Sequence, residues 1–210
     1  IFTTTFLQQP GGGKRDGLIH AVYGGVYGKV NGVLDGHPRT GDLMPVLSHL
    51  GPAAPCGLTS YASPAFGPEY QHNLFACCFN QHRITRHELN AEQSMYQSKD
   101  SDFVVSDNVD FHPTDILEDA DGSLVILDTG GWYKLCCPTS QLVKPDVTGA
   151  IYRVKKVGAH QIADPRGLKI DWKKLDEHAL GKLLHDPRPA VRQRVMDHVE
   201  YGRPTTPYDV

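Results

Sequence analysis

A chain of 210 residues with 40% apolar and 21% charged content can bury one substantial core or two modest ones, which excludes a disordered polymer. Its 21 basic residues are outnumbered by 24 acidic ones and are scattered, so the net charge of −3 argues against binding a nucleic-acid backbone. No stretch is long and apolar enough to span a bilayer.

The chain opens on a β-like run, Ile1–Leu7, without an initiator Met or a signal segment, and reads as an internal start of a longer protein. Gly11–Gly13 precedes Lys14-Arg15 but lacks the strand-then-helix setting of a phosphate loop or dinucleotide fingerprint. A Gly-x-Ser-x-Gly nucleophile elbow is also absent. Short segments rich in β-branched and aromatic residues, bounded by Gly, Pro, Asp or Asn, then predict strands at Leu18–Tyr23, Gly57–Tyr61, Asn73–Phe79, Arg83–Leu89, Asp102–Val105, Asp115–Glu118, Ser123–Leu127 and Ala150–Val154. Asp119-Ala120-Asp121-Gly122 is the hairpin turn between two of them.

A weak repeat runs through these strands. The segments beginning at Ala54, Asn73 and Arg83 form one consecutive trio, and those beginning at Pro113, Ser123 and Ala150 form another. Such recurrence in an all-β region points to propeller blades, with residues before about Leu50 completing an earlier blade. A two-layer sandwich shares the strand spacing and is the alternative.

From Asp171 the period changes. Leu175, Ala179 and Leu183, then Val191, Val195 and Val199, recur at every fourth position, as on amphipathic helices. Asp186-Pro187 predicts an N-cap with proline at the first helical position, and Gly202 and Pro204 predict the stop. Two short helices cannot bury both faces by themselves and call for further repeats. The run Asp186–Arg192 resembles the second helix of HEAT-like repeats. The expected fold is therefore mainly β with a C-terminal α segment: the last two to three blades of a β-propeller over residues 1–157, a linker over 158–170, and the start of a HEAT-like helical repeat over 171–210.

The five cysteines are Cys56 and the adjacent pairs Cys77-Cys78 and Cys136-Cys137, without the spacing of a zinc site or haem attachment. Neighbours in a strand point to opposite faces, so Cys77 should not bond Cys78. A bridge between the pairs, a bridge to Cys56, and burial as small hydrophobes all stay open.

Several longer strings carry a resemblance. Gln8–Gly13, Leu18–Gly25, Leu34–Gly41, His49–Gly57, Asp110–Ser123 and Asp128–Ser140 together resemble the large bacterial proteins provisionally called membrane-bound dehydrogenases, in which a propeller precedes HEAT repeats and often a cytochrome c domain. The stretches Ala54–Tyr61, Asn73–Phe75 and Asp115–Leu127 are similar to the glucose/sorbosone (quinoprotein) dehydrogenase family. That resemblance implies a periplasmic or cell-surface oxidoreductase acting on a sugar or small alcohol. Pyrroloquinoline quinone and calcium would be its cofactors, with electrons passed to a haem or membrane acceptor outside this chain. The family's catalytic histidine lies in earlier blades, so no catalytic base is named here. The family's last blades clamp the acidic quinone with one Lys and two Arg. At those places this chain carries Asn80, His112 and Thr114, with Arg39, Arg83 and Arg86 as possible substitutes.

The candidate ligand-facing residues are thus His112, Thr114, Asp115, Asn80 and His49. His112 and Asp115 suit a divalent cation or polar ligand, although an Asp after a turn also serves to hold local amides. His20, His37 and His49 lack metal-ligand spacing. Trp132-Tyr133 could wall a sugar or quinone pocket or pack between blades. Glu118, Asp119 and Asp121 could attract calcium, but their spacing is that of a solvated turn rather than an EF-hand loop. A non-catalytic propeller–HEAT scaffold that binds a glycan or protein is the alternative function, because fold does not decide activity.

Overall fold

A computed structural model describes residues 2–9, 14–28, 32, 36–38, 41–131, 144 and 146–201. Among the described residues the chain is mainly β, with three antiparallel sheets followed by two helices. The first sheet has the order β1-β2-β3, from Phe2–Gln9, Lys14–His20 and Ser48–Gly51. The second has the order β4-β5-β6-β7, from Pro55–Ser60, Leu74–Cys78, Arg83–Glu92 and Met95–Val105. The third runs β8-β9-β10, from Pro113–Glu118, Leu124–Asp128 and Ala150–Val154. The two predicted trios are therefore each one consecutive meander, and β10 has the predicted bounds.

The departures follow burial. The strand expected at Leu18–Tyr23 is Lys14–His20, because Leu18 and Ile19 are buried while Val22 and Tyr23 lie exposed beyond it. The strand expected at Asp102–Val105 is eleven residues long and starts at Met95. Its outer half pairs with β6 in register from Glu92↔Met95 to Thr85↔Asp102. Most of that half is solvated on both faces, so polar residues occupy it and no apolar alternation marks it. Gln93, at φ 51°, turns the two-residue connection.

Two compact units emerge. The first comprises residues 1–60, 72–117 and 125–152; the second comprises 61–71, 118–124 and 153–210. In the first unit Leu18, Leu50, Ala53, Ala76 and Cys78 form a buried cluster that packs the first two sheets together, with Leu47 and Leu58 at its edge. Asp16 is buried beside it and accepts the Ala54 N–H at 2.9 Å, which satisfies an acid that burial would otherwise penalise.

In the second unit a short 3-10 turn, Trp172–Lys174, precedes α1 (Glu177–Leu183) and α2 (Pro189–Tyr201). Trp172, Leu180, Val191 and Val195 make its core. The indole N–H of Trp172 donates to the Gly167 carbonyl at 2.8 Å, and the Arg194 guanidinium lies 4.6 Å above the ring. Two helix expectations need correction. The proline at the first helical position is Pro189, not Pro187, because Asp186 turns the chain before the helix by accepting the Arg188 N–H and pairing its guanidinium. The buried stripe uses Leu180 in place of Ala179 and loses Val199 to solvent, since the packed contacts lie toward the start of α2. The unexpected cap is Asp176, whose carboxylate accepts the Ala179 N–H at 2.7 Å. The predicted stop at Gly202 and Pro204 lies outside the described residues.

Candidate functional site

His112 enters β8 from a turn and is almost fully buried. Its Nδ1–H donates to the Gly130 carbonyl at 2.9 Å and to the Asp110 carbonyl at 3.1 Å, and its backbone N–H donates to Asp128. Phe79 lies 4.6 Å from its ring and His82 5.1 Å. Burial first, then the charge of His82, pushes its pKa down, which keeps the imidazole neutral. Asn80 belongs to the same 3-10 turn as Phe79 and donates its backbone N–H to the Ala53 carbonyl at 2.9 Å. Thr114 donates its hydroxyl to the Leu127 carbonyl at 3.3 Å. Asp115 is exposed and caps the Ile116 N–H at 2.9 Å, the local role an Asp after a turn often takes.

A triply acidic quinone needs cations, and these three positions supply a neutral imidazole, an amide and a hydroxyl. The arginines considered as substitutes have partners inside the fold. Arg83 bonds Asp102 at 3.0 Å and Gln81 at 2.7 Å, and Arg86 bonds Asn73 at 2.7 Å. Arg39 and Trp132-Tyr133 lie outside the described residues. Among the described residues, those at the clamp positions do not fit the quinone.

The acidic turn does not fit calcium either. Asp119 pairs with Arg153 at 2.7 Å and with Arg166, while Asp121 pairs with Lys155 at 2.9 Å. The protein's own cations occupy the positions that a metal ion would take. Glu118 is half-buried, accepts the Ala62 N–H at 2.6 Å, and has its pKa raised by burial. Among the described residues no cluster of three or more His, Cys, Asp or Glu side chains could hold a metal ion. His20 lies between the rings of Phe2 and Tyr96, tilted against the first and edge-on to the second, His37 is exposed, and His49 stands elsewhere.

His49 leads to a site that sequence reasoning missed. A cleft of about 250 Å³ in the first unit is lined by His49 and Leu50 of β3, Arg83, Thr85 and His87 of β6, and Asp100, Ser101 and Asp102 of β7. At its base His87 is fully buried. Its Nδ1–H donates to Asp100 Oδ1 at 2.8 Å, and its Nε2 meets the Thr85 hydroxyl at 2.8 Å. Ser48 and Ser98 also donate to Asp100. Burial alone would raise the Asp100 pKa, but the hydrogen bonds from His87, Ser48 and Ser98 outweigh it and hold the carboxylate down at about 2. Five polar residue types therefore line one concavity with fixed orientations. Alternate residues of β6 share one face, so Arg83, Thr85 and His87 form a row readable from strand periodicity. The facing stretch of their partner strand, residues 97–102, is polar on both faces and carries no such signal.

Among solved structures the chain is similar to a protein of Thermus thermophilus provisionally titled an oxidoreductase (glucose dehydrogenase), with 16% identity and a TM-score of 0.44. The similarity covers 68% of this chain and 38% of that one, so the chain spans well under half of that protein's length. No curated protein matches the chain. A family profile matches residues 28–159, more than half of the chain and most of its strands, and the chain belongs to that family, the domain of unknown function DUF7133.

Proposed function

We propose that this chain is the sugar-binding end of a propeller that continues into a HEAT-type helical array, within a dehydrogenase-like parent protein. The observation that carries the binding role is the cleft at His49, Arg83, Thr85, His87, Asp100, Ser101 and Asp102. An anion there would meet two carboxylates, and a cation would meet a guanidinium. A neutral polyhydroxylated ligand uses both, because each hydroxyl donates and accepts. The volume of about 250 Å³ lies just below the range of drug-sized sites and suits one small ring or a short polyol. His87 and Asp100 hold the base of the cleft rigid, which spares the ligand the cost of ordering it.

The wider proposal for the parent is oxidation of such a sugar or small alcohol at the periplasmic side or cell surface, with electrons leaving to a haem or membrane acceptor. It rests on the resemblance of the strings quoted above and on the consecutive three- and four-stranded meanders, with blades to residue 157, a linker over 158–170 and the helical repeat from 171. In this reading the chain supplies ligand-binding walls. The second reading, a non-catalytic scaffold, is favoured by Arg83 and Arg86, whose guanidinium groups are held by neighbours rather than presented to an acidic cofactor.

Titration calorimetry of the chain with glucose, other neutral monosaccharides and glycerol tests the binding role. Binding should weaken at least about tenfold in Asp100→Asn, the loss expected for one charge-assisted hydrogen bond. Binding heats absent for every polyol, or unchanged in Asp100→Asn, would remove the proposal. Sugar-dependent dye reduction by the parent protein separates the two wider readings: turnover supports the dehydrogenase, and its absence alongside intact sugar binding supports the scaffold.

A further inference from the structure

Strand β4 is irregular where it faces β5. Leu58, Thr59 and Ser60 pair with Ala76, Phe75 and Leu74, but the next recorded pair is Pro55 with Cys78, with a register shift between. Two residues of β4, Cys56 and Gly57, therefore stand against the single residue Cys77, as in a β-bulge. Gly57 is required there: a Cβ would lie 2.4 Å from Asp115 Oδ1 and 2.5 Å from Asp115 Cα. The close approach of β8 pins the bulge and with it the position of Cys56. Cys78 points the other way, into the cluster with Leu18 and Ala76, as the alternation of a strand demands. Cys56, Cys77 and Cys78 are all free thiols, with Cys56 exposed and Cys77 fully buried.

We infer that Cys56 and Cys77 form a cross-strand dithiol, a modification site that closes to a disulfide when a disulfide-bearing oxidant reaches Cys56. Directly facing residues of an antiparallel pair have Cα atoms about 4.5–5.5 Å apart, inside the range of about 4.4–6.8 Å that a disulfide bridges, and the bulge sets Cys56 beside such a position opposite Cys77. The exchange balances in two steps. The Cys56 thiolate attacks the oxidant's S–S bond, forming a mixed disulfide and releasing one oxidant thiolate. The Cys77 thiolate then attacks the Cys56 sulfur, forming the internal bond and releasing the second oxidant thiol. The two cysteines lose two electrons and two protons, and the oxidant's disulfide is reduced to two thiols.

The surroundings set the rate. Partial desolvation of Cys56 and full burial of Cys77 raise both pKa values, and the charges of neighbouring thiols (Cys78 beside Cys56, Cys56 beside Cys77) and then of Asp115 raise them further, so little thiolate exists at neutral pH. Closure is slow at neutrality and speeds up as pH rises, by about tenfold per pH unit while both thiols stay mostly protonated.

The test exposes the purified chain to oxidised glutathione, traps remaining thiols with iodoacetamide, and maps the peptides by mass spectrometry. A peptide linking Cys56 to Cys77 is expected, forming faster at higher pH and absent from Cys56→Ser. Cys56→Ser changes an exposed side chain and should fold; Cys77→Ser, in contrast, should leave glutathione stranded on Cys56. Recovery of Cys56 as a free thiol, or its linkage to Cys78, Cys136 or Cys137, would overturn the inference.

Discussion

Asp100 in the first unit and the Asp119–Asp121 turn in the second are both acids held below the usual carboxylate range, yet by different means. Asp119 and Asp121 are held by Arg153, Arg166 and Lys155, whose charges they cancel. Asp100 is held by an imidazole and two hydroxyls and still borders a cleft. A carboxylate spent on exposed cations closes a turn; one oriented by buried donors keeps acceptor capacity for a ligand. The same residue type thus closes a turn in one unit and borders an open cleft in the other.

The largest break in that comparison is at His87. Replacing it by Ala removes a fully buried ring, leaves a cavity, and strips a donor from Asp100 and a partner from Thr85. The chain should lose about 3 kcal/mol of stability in urea denaturation, the sum of a cavity and a lost buried hydrogen bond. A loss within the range of a surface substitution would mean that the base of the cleft is not structurally committed.

Part of this is legible in the sequence. The two meanders, β10 and the helical segment follow from apolar patterning and turn residues. Asp186 reads as a cap, yet it acts just before the helix, because an Asp that accepts the backbone N–H two positions on gives the same local signal whether that amide lies in a helix or, as Arg188 does here, in the turn before one. The cleft is not legible. Its residues come from β3, β6 and β7, and the stretch of β7 that lines it, within residues 97–102, is polar on both faces, so neither period nor spacing joins Asp100 to His87. His49 stands out as a candidate, but apart from Leu50 the residues that share its cleft lie more than thirty positions away in sequence. His112 stands out too, and its main-chain hydrogen bonds fix it as a neutral, buried ring.

A smaller effect is expected from pH. The folded pKa of Asp100, about 2, lies below its ordinary value of 3.8, so the unfolded chain binds this proton more readily. The stabilisation is present above pH 3.8 and disappears as pH falls towards about 2. Asp100→Asn should flatten the stability curve across that window by about 1 kcal/mol, a figure reduced because the carboxylate is partly solvated. An acid limb of unchanged slope in the variant would show that the hydrogen bonds of Asp100 contribute nothing to folding.

The smallest effect should come from the ion-paired turn. Arg153 reaches both Asp119, at 2.7 Å, and Asp121, at 3.4 Å, but its side chain is 44% exposed and each acid has a second cation. Water and salt therefore compete for the pair, and Arg166 and Lys155 remain to hold the turn once Arg153 is gone. Arg153→Ala should cost about 0.5 kcal/mol at low ionic strength and close to nothing in molar salt. The cost of His87→Ala, measured in the same two buffers, should hardly change, because its partners are hydrogen-bonded and its ring is buried. If salt erased both losses alike, Asp100 would be held by long-range charge rather than by oriented donors, and the distinction between a structural acid and a ligand-facing one would fail at its physical basis.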